Sequence, residues 1–225
     1  MLKLYYARPS LYARPVWLAL LEKQLTFELI PVDLGGQQFE SDFLDLSPFG
    51  HIPVLVDGDF HLIESLAILD YLEAKYPQFP LLPADAIALA KVRMAQFVSL
   101  NELLPAIVKL VIPGDNPAET AYAEFRANHT LGFLENLLGD LPYFADEQLT
   151  LAELVAGPLV DMMPRLNISL TDYPQLKAWS ERLSSRPAWQ QVQLSPEEWS
   201  SFIRHMRVMP KIWQRRRRQR MSALS

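Results

Sequence analysis

Residues Phe49–Tyr71, FGHIPVLVDGDFHLIESLAILDY, change their apolar period part-way along, and the change marks a strand hairpin running into a helix. Ile52-Pro-Val-Leu-Val reads as a strand, Asp57-Gly58 as a tight-turn dipeptide and Phe60–Ile63 as the returning strand. After Ile63 the apolar residues Leu66, Ile68, Leu69 and Leu72 take up helical spacing, so Ser65 stands where a helix begins. The free N–H groups and positive dipole end there form a ready anion site, and Glu64 beside it is suited to an ammonium. An amino acid's carboxylate and amine would fit this pair together. Upstream, Pro53 opens the strand after an apolar residue in the turn-rich context Ser47-Pro-Phe-Gly-His, a place suited to a cis bond at Ile52-Pro53. Such a bond would present the Ile52 backbone N–H and C=O to an extended peptide.

The chain has 225 residues, half of them apolar and 21% charged, which suits one or two globular domains. It contains no cysteine, so disulfides, thiolate-bound metal and a protein thiol nucleophile are excluded. His51, His61, His129 and His205 show no metal-ligand spacing, and no phosphate loop or dinucleotide fingerprint is present. Met1-Leu-Lys-Leu-Tyr-Tyr enters a strand pattern without a signal-peptide core. No uninterrupted apolar run approaches the roughly 18 residues that span a bilayer. A cytoplasmic location is the expectation.

The net charge of −5 conceals an asymmetry. Residues 196–225 carry eight Lys and Arg against two Glu, a balance of +6, which leaves −11 for residues 1–195. The run Arg215–Arg220 predicts weak contact with an anionic surface, or simply a solvated tail. An acidic body argues against general nucleic-acid binding.

In chain order, Leu2–Tyr6 predicts a strand, Tyr12–Lys23 a helix burying Val16, Trp17, Leu20 and Leu21, and Thr26–Val32 a second, parallel strand. Pro15 falls in the helix's first turn, where a missing N–H costs little. Asp33–Ser47 is polar and glycine-containing and reads as a loop with at most one helical turn. The hairpin and helix then complete a βαβ-ββα module over residues 1–76. Residues 77–85 are a proline-rich linker, residues 86–195 an all-helical domain and residues 196–225 a basic extension. Within the helical part, Ala86–Lys109 is one long pattern kinked at Pro105, and Ala118–Gly139 a second. Thr150 and Glu153 have capping-box spacing, with Leu149 and Leu154 as a hydrophobic staple. Helices at about Gly157–Arg165 and Tyr173–Ser184 follow.

The run Gly50-His51-Ile52-Pro53-Val54-Leu55-Val56-Asp57-Gly58, followed by Glu64-Ser65-Leu66-Ala67-Ile68-Leu69-Asp70-Tyr71-Leu72, resembles the glutathione-binding half of cytosolic glutathione S-transferases. The Thr150 capping box, with Glu where the family usually has Asp, and the helix stop Ser185-Arg-Pro-Ala188 extend the resemblance over roughly residues 1–192. It implies a thioredoxin-like N-terminal domain followed by an all-α domain, a likeness to serine-type members, and a homodimer. The implied function is a detoxifying glutathione transferase that joins the thiolate of its co-substrate glutathione to small hydrophobic electrophiles, without metal. The alternative is a non-catalytic scaffold of the same fold whose basic tail meets a partner or membrane surface. By resemblance Glu64 and Ser65 meet the γ-glutamyl amine and carboxylate, Ile52 beside Pro53 pairs its backbone with the cysteinyl unit, and His51 and Gln38 approach the glycine carboxylate. Conjugation needs one hydroxyl donor or cation near the sulfur. Ser10 fits the serine-type S-x-x-x-R arrangement with Arg14, although a serine there is equally suited to capping a helix. Tyr5, Tyr6 and Arg8 remain alternatives, with Tyr12 beside them. With no cysteine, thiol transfer through a mixed disulfide is closed to this chain. Val98, Asn101, Leu104, Val108 and Val111 lie where an electrophile would bind, though such stripes more often serve the core.

Overall fold

A computed structural model describes residues 1–208 except Pro113 and Asp146. Arg215–Arg220 lie outside the described residues. The order is β1 (Leu2–Tyr6), α1 (Ala13–Glu22), β2 (Phe27–Pro31), a 3₁₀ turn (Gln37–Phe39), α2 (Ser41–Leu46), β3 (Val54–Asp57), β4 (Phe60–Ile63) and α3 (Ser65–Lys75). The helical domain contains α4 (Ala86–Val98), α5 (Leu104–Val111), α6 (Pro117–Leu138), α7 (Leu151–Val160), α8 (Pro174–Ser184) and α9 (Pro187–Val192). Residues 196–208 form a further helix.

The sheet order is β2-β1-β3-β4, with β1 parallel to β2 and antiparallel to β3, as a thioredoxin-like domain requires. Strand alternation separates two faces. Leu2, Leu4, Leu55 and Leu62 join the main core with α1 and α3. Val32, Val54, Tyr5 and Ile63 pack around Phe43 of α2 on the opposite face. The segment expected to be a loop, Asp33–Ser47, thus carries a six-residue helix because burying Phe43 covers that second face. The hairpin loop is Gly58-Asp59, with Gly58 at φ +62, and Asp57 ends β3 opposite Phe60.

Asp57 ties the hairpin to α3. Its Oδ2 accepts from Lys75 Nζ (2.6 Å), Tyr71 OH (2.8 Å) and Tyr76 OH (3.1 Å). The Lys75 hydrogen bond leads these partners in holding the carboxyl below its usual range, against burial. A depressed folded pKa contributes stability above the unfolded value of about 3.9, and that contribution is lost as pH falls through the folded value. Asp57→Asn should therefore cost about 1 kcal/mol at pH 7, and its urea-unfolding curve should converge on that of wild type in strong acid. A constant gap across the pH range would contradict this role.

The two domains share one continuous core. Helix α1 lies between α3 on one side and α7 and α9 on the other, so Ala13–Leu20 are all buried. Arg186, in the predicted helix stop, donates from Nε and Nη2 to both carboxylate oxygens of Glu22 (3.0 and 2.6 Å). Lys23, its side chain fully buried, donates to Glu73 (2.5 Å) and to the carbonyls of Gln78 and Phe79, fixing the linker. Leu81 of that linker is buried, and its carbonyl accepts from the Leu151 N–H.

Ala86–Val111 is one helix of 26 residues in which a π turn (Ser99–Leu103) absorbs the hydrogen bond that Pro105 cannot donate. With an 18-residue window of mean hydropathy 1.3, it is long and apolar enough to cross a membrane by length and composition. Its buried residues Val92, Ala95, Leu103, Ala106 and Ile107 instead belong to the common core. The helix expected at Gly157–Arg165 is corrected: α7 already runs from Leu151 and ends at Val160, and a 3₁₀ turn (Pro164–Leu166) follows. Every residue of α7 is buried, so the sequence has no polar face there to set the helical phase.

Candidate active site

The fold brings the end of β1, the start of β3 and the starts of α1 and α3 to one end of the sheet. Ile52-Pro53 is a cis bond. The Ile52 backbone N–H and C=O make no hydrogen bond to another described residue. Beside it, Ser47 is buried and clamps His51, donating from Oγ to the His51 carbonyl (2.9 Å) and accepting from its N–H (3.0 Å). Gly50, at φ +65, has the Gln38 carbonyl 2.7 Å from where a Cβ would stand, so only glycine lets the two segments meet. This contact brings the 3₁₀ turn that carries Gln38 against the residue preceding His51. His51 is exposed, whereas the Gln38 side chain is buried, donating to the Leu34 carbonyl (2.7 Å), with its Oε1 unpartnered among the described residues.

Glu64 is exposed and occupies φ +67, ψ 111, a region that L residues rarely adopt. It is the N-cap of α3 but offers no side-chain cap, and the first intrahelical bond runs from the Ile68 N–H to the Glu64 carbonyl. The N–H groups of Ser65, Leu66 and Ala67 thus have no intrahelical partner, and Ser65 itself is buried. Among the described residues the Glu64 carboxylate has no hydrogen bond or ion pair.

Ser10 lies between β1 and α1. Its N–H donates to the Ala7 carbonyl (2.9 Å), its carbonyl accepts from the Arg14 N–H (3.1 Å), and its Oγ accepts from the Ala13 N–H (3.2 Å). The capping and donor readings of Ser10 are therefore compatible, because a hydroxyl that accepts from the backbone keeps its own proton to give. Tyr5 and Tyr6 point to opposite faces of the sheet, the first edge-on to Phe43 (6.2 Å) and the second to Trp17 (5.2 Å). The Arg8 guanidinium is turned to the C-terminal segment, donating to the carbonyls of Gln191 and Gln193 (both 3.1 Å). Arg14 is buried and donates from Nε to the Arg8 carbonyl (3.4 Å). Burial, with Arg165 and Arg8 nearby, brings its guanidinium down to about 10 against the pull of Asp161 and Glu198.

Tyr12 joins the two halves. Its phenol is raised above its usual pKa first by partial burial and then by the Glu64 carboxylate, and the strand register, Tyr5 opposite Val54 and Val54 opposite Ile63, puts the β1–α1 loop and the start of α3 at the same end of the sheet. Of the positions considered for an electrophile, Leu104 and Val111 are core, while Asn101 and Val108 are exposed. Among the described residues no group of three or more His, Cys, Asp or Glu is placed to hold a metal.

A thioredoxin-like sheet with a cis-proline corner, joined to a helical domain, is the architecture of glutathione-using proteins. The N-terminal domain model of glutathione S-transferases matches residues 4–80 and the C-terminal domain model residues 101–187. Glutathione S-transferase Z1 of Arabidopsis thaliana is 34% identical, over 90% of this chain and 96% of that protein. A stringent starvation protein A homolog of Pasteurella multocida is 27% identical, over 84% of this chain and 88% of its own. A solved maleyl pyruvate isomerase, described as a bacterial zeta-class glutathione S-transferase, superposes with a TM-score of 0.76 at 26% identity, over 87% of this chain and 99% of that one. The chain belongs to the glutathione S-transferase family and is a glutathione transferase, with glutathione as the family's co-substrate.

Proposed function

We propose that this chain, acting as a cytoplasmic homodimer, joins the sulfur of glutathione to small hydrophobic electrophiles, a detoxifying conjugation. The observation that supports the reading is the strand register, Tyr5 opposite Val54 and Val54 opposite Ile63, which puts the Ser10 loop after β1 and the Glu64-Ser65 start of α3 at the same end of the sheet. The γ-glutamyl carboxylate sits on the free N–H groups and hydroxyl of Ser65, and its ammonium on Glu64. The unpaired Ile52 backbone beside Pro53 takes the cysteinyl unit, and His51 and Gln38 lie toward the glycine end. The Ser10 hydroxyl donates a hydrogen bond to the sulfur and keeps its own proton, favouring the thiolate, while the thiol proton passes to water. The thiolate then forms the C–S bond while the electrophile's leaving group departs or its conjugated π bond takes the electron pair. Exposed Ile87, Met94 and Phe97, spaced along one side of α4, supply apolar surface for a second copy.

Conjugation kinetics of Ser10→Ala, Tyr5→Phe, Tyr6→Phe and Arg8→Ala test the donor. Loss of one hydrogen bond to the thiolate should lower kcat about tenfold in Ser10→Ala and raise the pKa of the bound thiol, while the two tyrosine variants stay near wild type. Normal turnover in Ser10→Ala, with the loss appearing in a tyrosine variant, would transfer the role to that tyrosine.

A further inference from the structure

The C-terminal segment returns to the N-terminal domain and grips the loop that carries Ser10. Ser195-Pro-Glu-Glu198 opens the helix over residues 196–208 with a reciprocal capping box. The Ser195 N–H donates to Glu198 Oε2 (2.8 Å), and the Glu198 N–H donates to Ser195 Oγ (3.2 Å). The other Glu198 oxygen, Oε1, lies 2.7 Å from Arg8 Nε, an ion pair in which the N–H is not aligned on the oxygen. The same guanidinium holds the carbonyls of Gln191 and Gln193 and lies 5.3 Å over the Trp17 ring. A second clamp keeps the segment in place: Arg165 donates to the Leu194 carbonyl (3.3 Å) and stacks 5.6 Å over Trp199 at the start of the helix.

We propose that Glu198 is a positioning residue for catalysis, acting through Arg8 to fix the loop that orients the Ser10 hydroxyl. Arg8 is two residues before Ser10, and its own carbonyl accepts from Arg14, whose N–H bonds to the Ser10 carbonyl. A rigid side-chain anchor at Arg8 therefore limits how far Ser10 Oγ can wander, and a reacting hydroxyl is sensitive to small displacements. One Glu198 carboxylate completes the helix cap and the arginine anchor together, so ordering of the helix and placement of the loop are one event. In this arrangement Arg8 is spent on the anchor and does not itself meet the sulfur.

The inference rests on the reading of Ser10 as donor, and the test separates the two. Glu198→Gln keeps an oxygen for the Ser195 N–H, because glutamine also serves in capping boxes, but removes the charge that holds Arg8. Ser10→Ala, Glu198→Gln and the double variant are compared for kcat, KM for glutathione and the pKa of the bound thiol, read by thiolate absorbance. Glu197→Gln, a change to an exposed neighbour, is the control for general damage to the helix. Glu198→Gln should lower kcat about fivefold with KM for glutathione changed less than about twofold, and should raise the thiol pKa by less than Ser10→Ala does. The double variant should match Ser10→Ala, because a loop without its hydroxyl has nothing left to orient. If Ser10→Ala raises the thiol pKa and Glu198→Gln leaves it unchanged, the positioning role is overturned while the donor stands. If Glu198→Gln raises it and Ser10→Ala does not, the anchor stands and the donor is another group on the loop. No shift in either overturns both. A fall in the thiol pKa in Glu198→Gln would mean that released Arg8 reaches the sulfur, and overturns the proposal as well.

Discussion

Replacing Glu153 with alanine should lower the stability of the fold by about 3–5 kcal/mol, a drop in Tm on the order of 10 °C for a chain of this size. Glu153 is fully buried, and burial raises its carboxyl above the usual range while its hydrogen bonds oppose the rise. Its Oε1 accepts from the Phe144 N–H (2.8 Å), and its Oε2 accepts from the Thr150 N–H (2.8 Å) and the Thr150 hydroxyl (2.6 Å). Alanine strands two buried backbone N–H groups and leaves a cavity where the side chain stood. The damage extends beyond one cap, because α7, which this box opens, packs directly on α1 below the Ser10 loop. Glu153→Asp should cost roughly half as much, since the shorter arm can serve the Thr150 N–H but not Phe144 as well. Denaturant unfolding reads both, and a loss below about 1 kcal/mol in Glu153→Ala would show that the box is dispensable.

This box was legible in the sequence for the same reason as the hairpin: each is a local pattern. Thr150 and Glu153 are three residues apart, and the Gly58 turn sits between two short alternating strands, so the interactions that make them lie within one reading window. Helix α2 was not legible, because what makes it is Phe43 meeting Val32 and Val54 across the sheet. The phase of α7 was lost because all ten of its residues are buried, and a helix without a polar face has no period to read. The residues proposed for the cradle, Glu64 and Ser65, and the cis Ile52-Pro53 bond lie on one continuous stretch, which is why they could be read together. The Ser195–Glu198 box carried an equally local signal, S-x-x-E, that the basic run behind it masked. The pairing of Glu198 with Arg8 left no trace in the sequence, since the two are far apart in the chain and meet only when the helical domain closes on α1.

Glu64→Gly should weaken glutathione binding by up to about 100-fold while leaving the fold as stable as wild type or slightly more so. At φ +67, ψ 111 a non-glycine backbone costs of order 1–3 kcal/mol, and glycine removes that cost. Against this, glycine loses about 0.5–1 kcal/mol through its greater freedom when unfolded. The carboxylate makes no capping bond to α3, so its removal takes nothing from the helix. What it takes is the partner for an ammonium, and a charge-assisted hydrogen bond is worth about 1.5–3 kcal/mol, which sets the expected loss of affinity. Denaturant unfolding and calorimetric titration with glutathione should therefore move in opposite directions. Glu64→Gln, which keeps the strain and loses the charge, should share the weaker binding without the gain in stability. If Glu64→Gly binds glutathione as wild type does, the carboxylate does not meet the γ-glutamyl amine, and the cradle at the start of α3 reads the carboxylate alone.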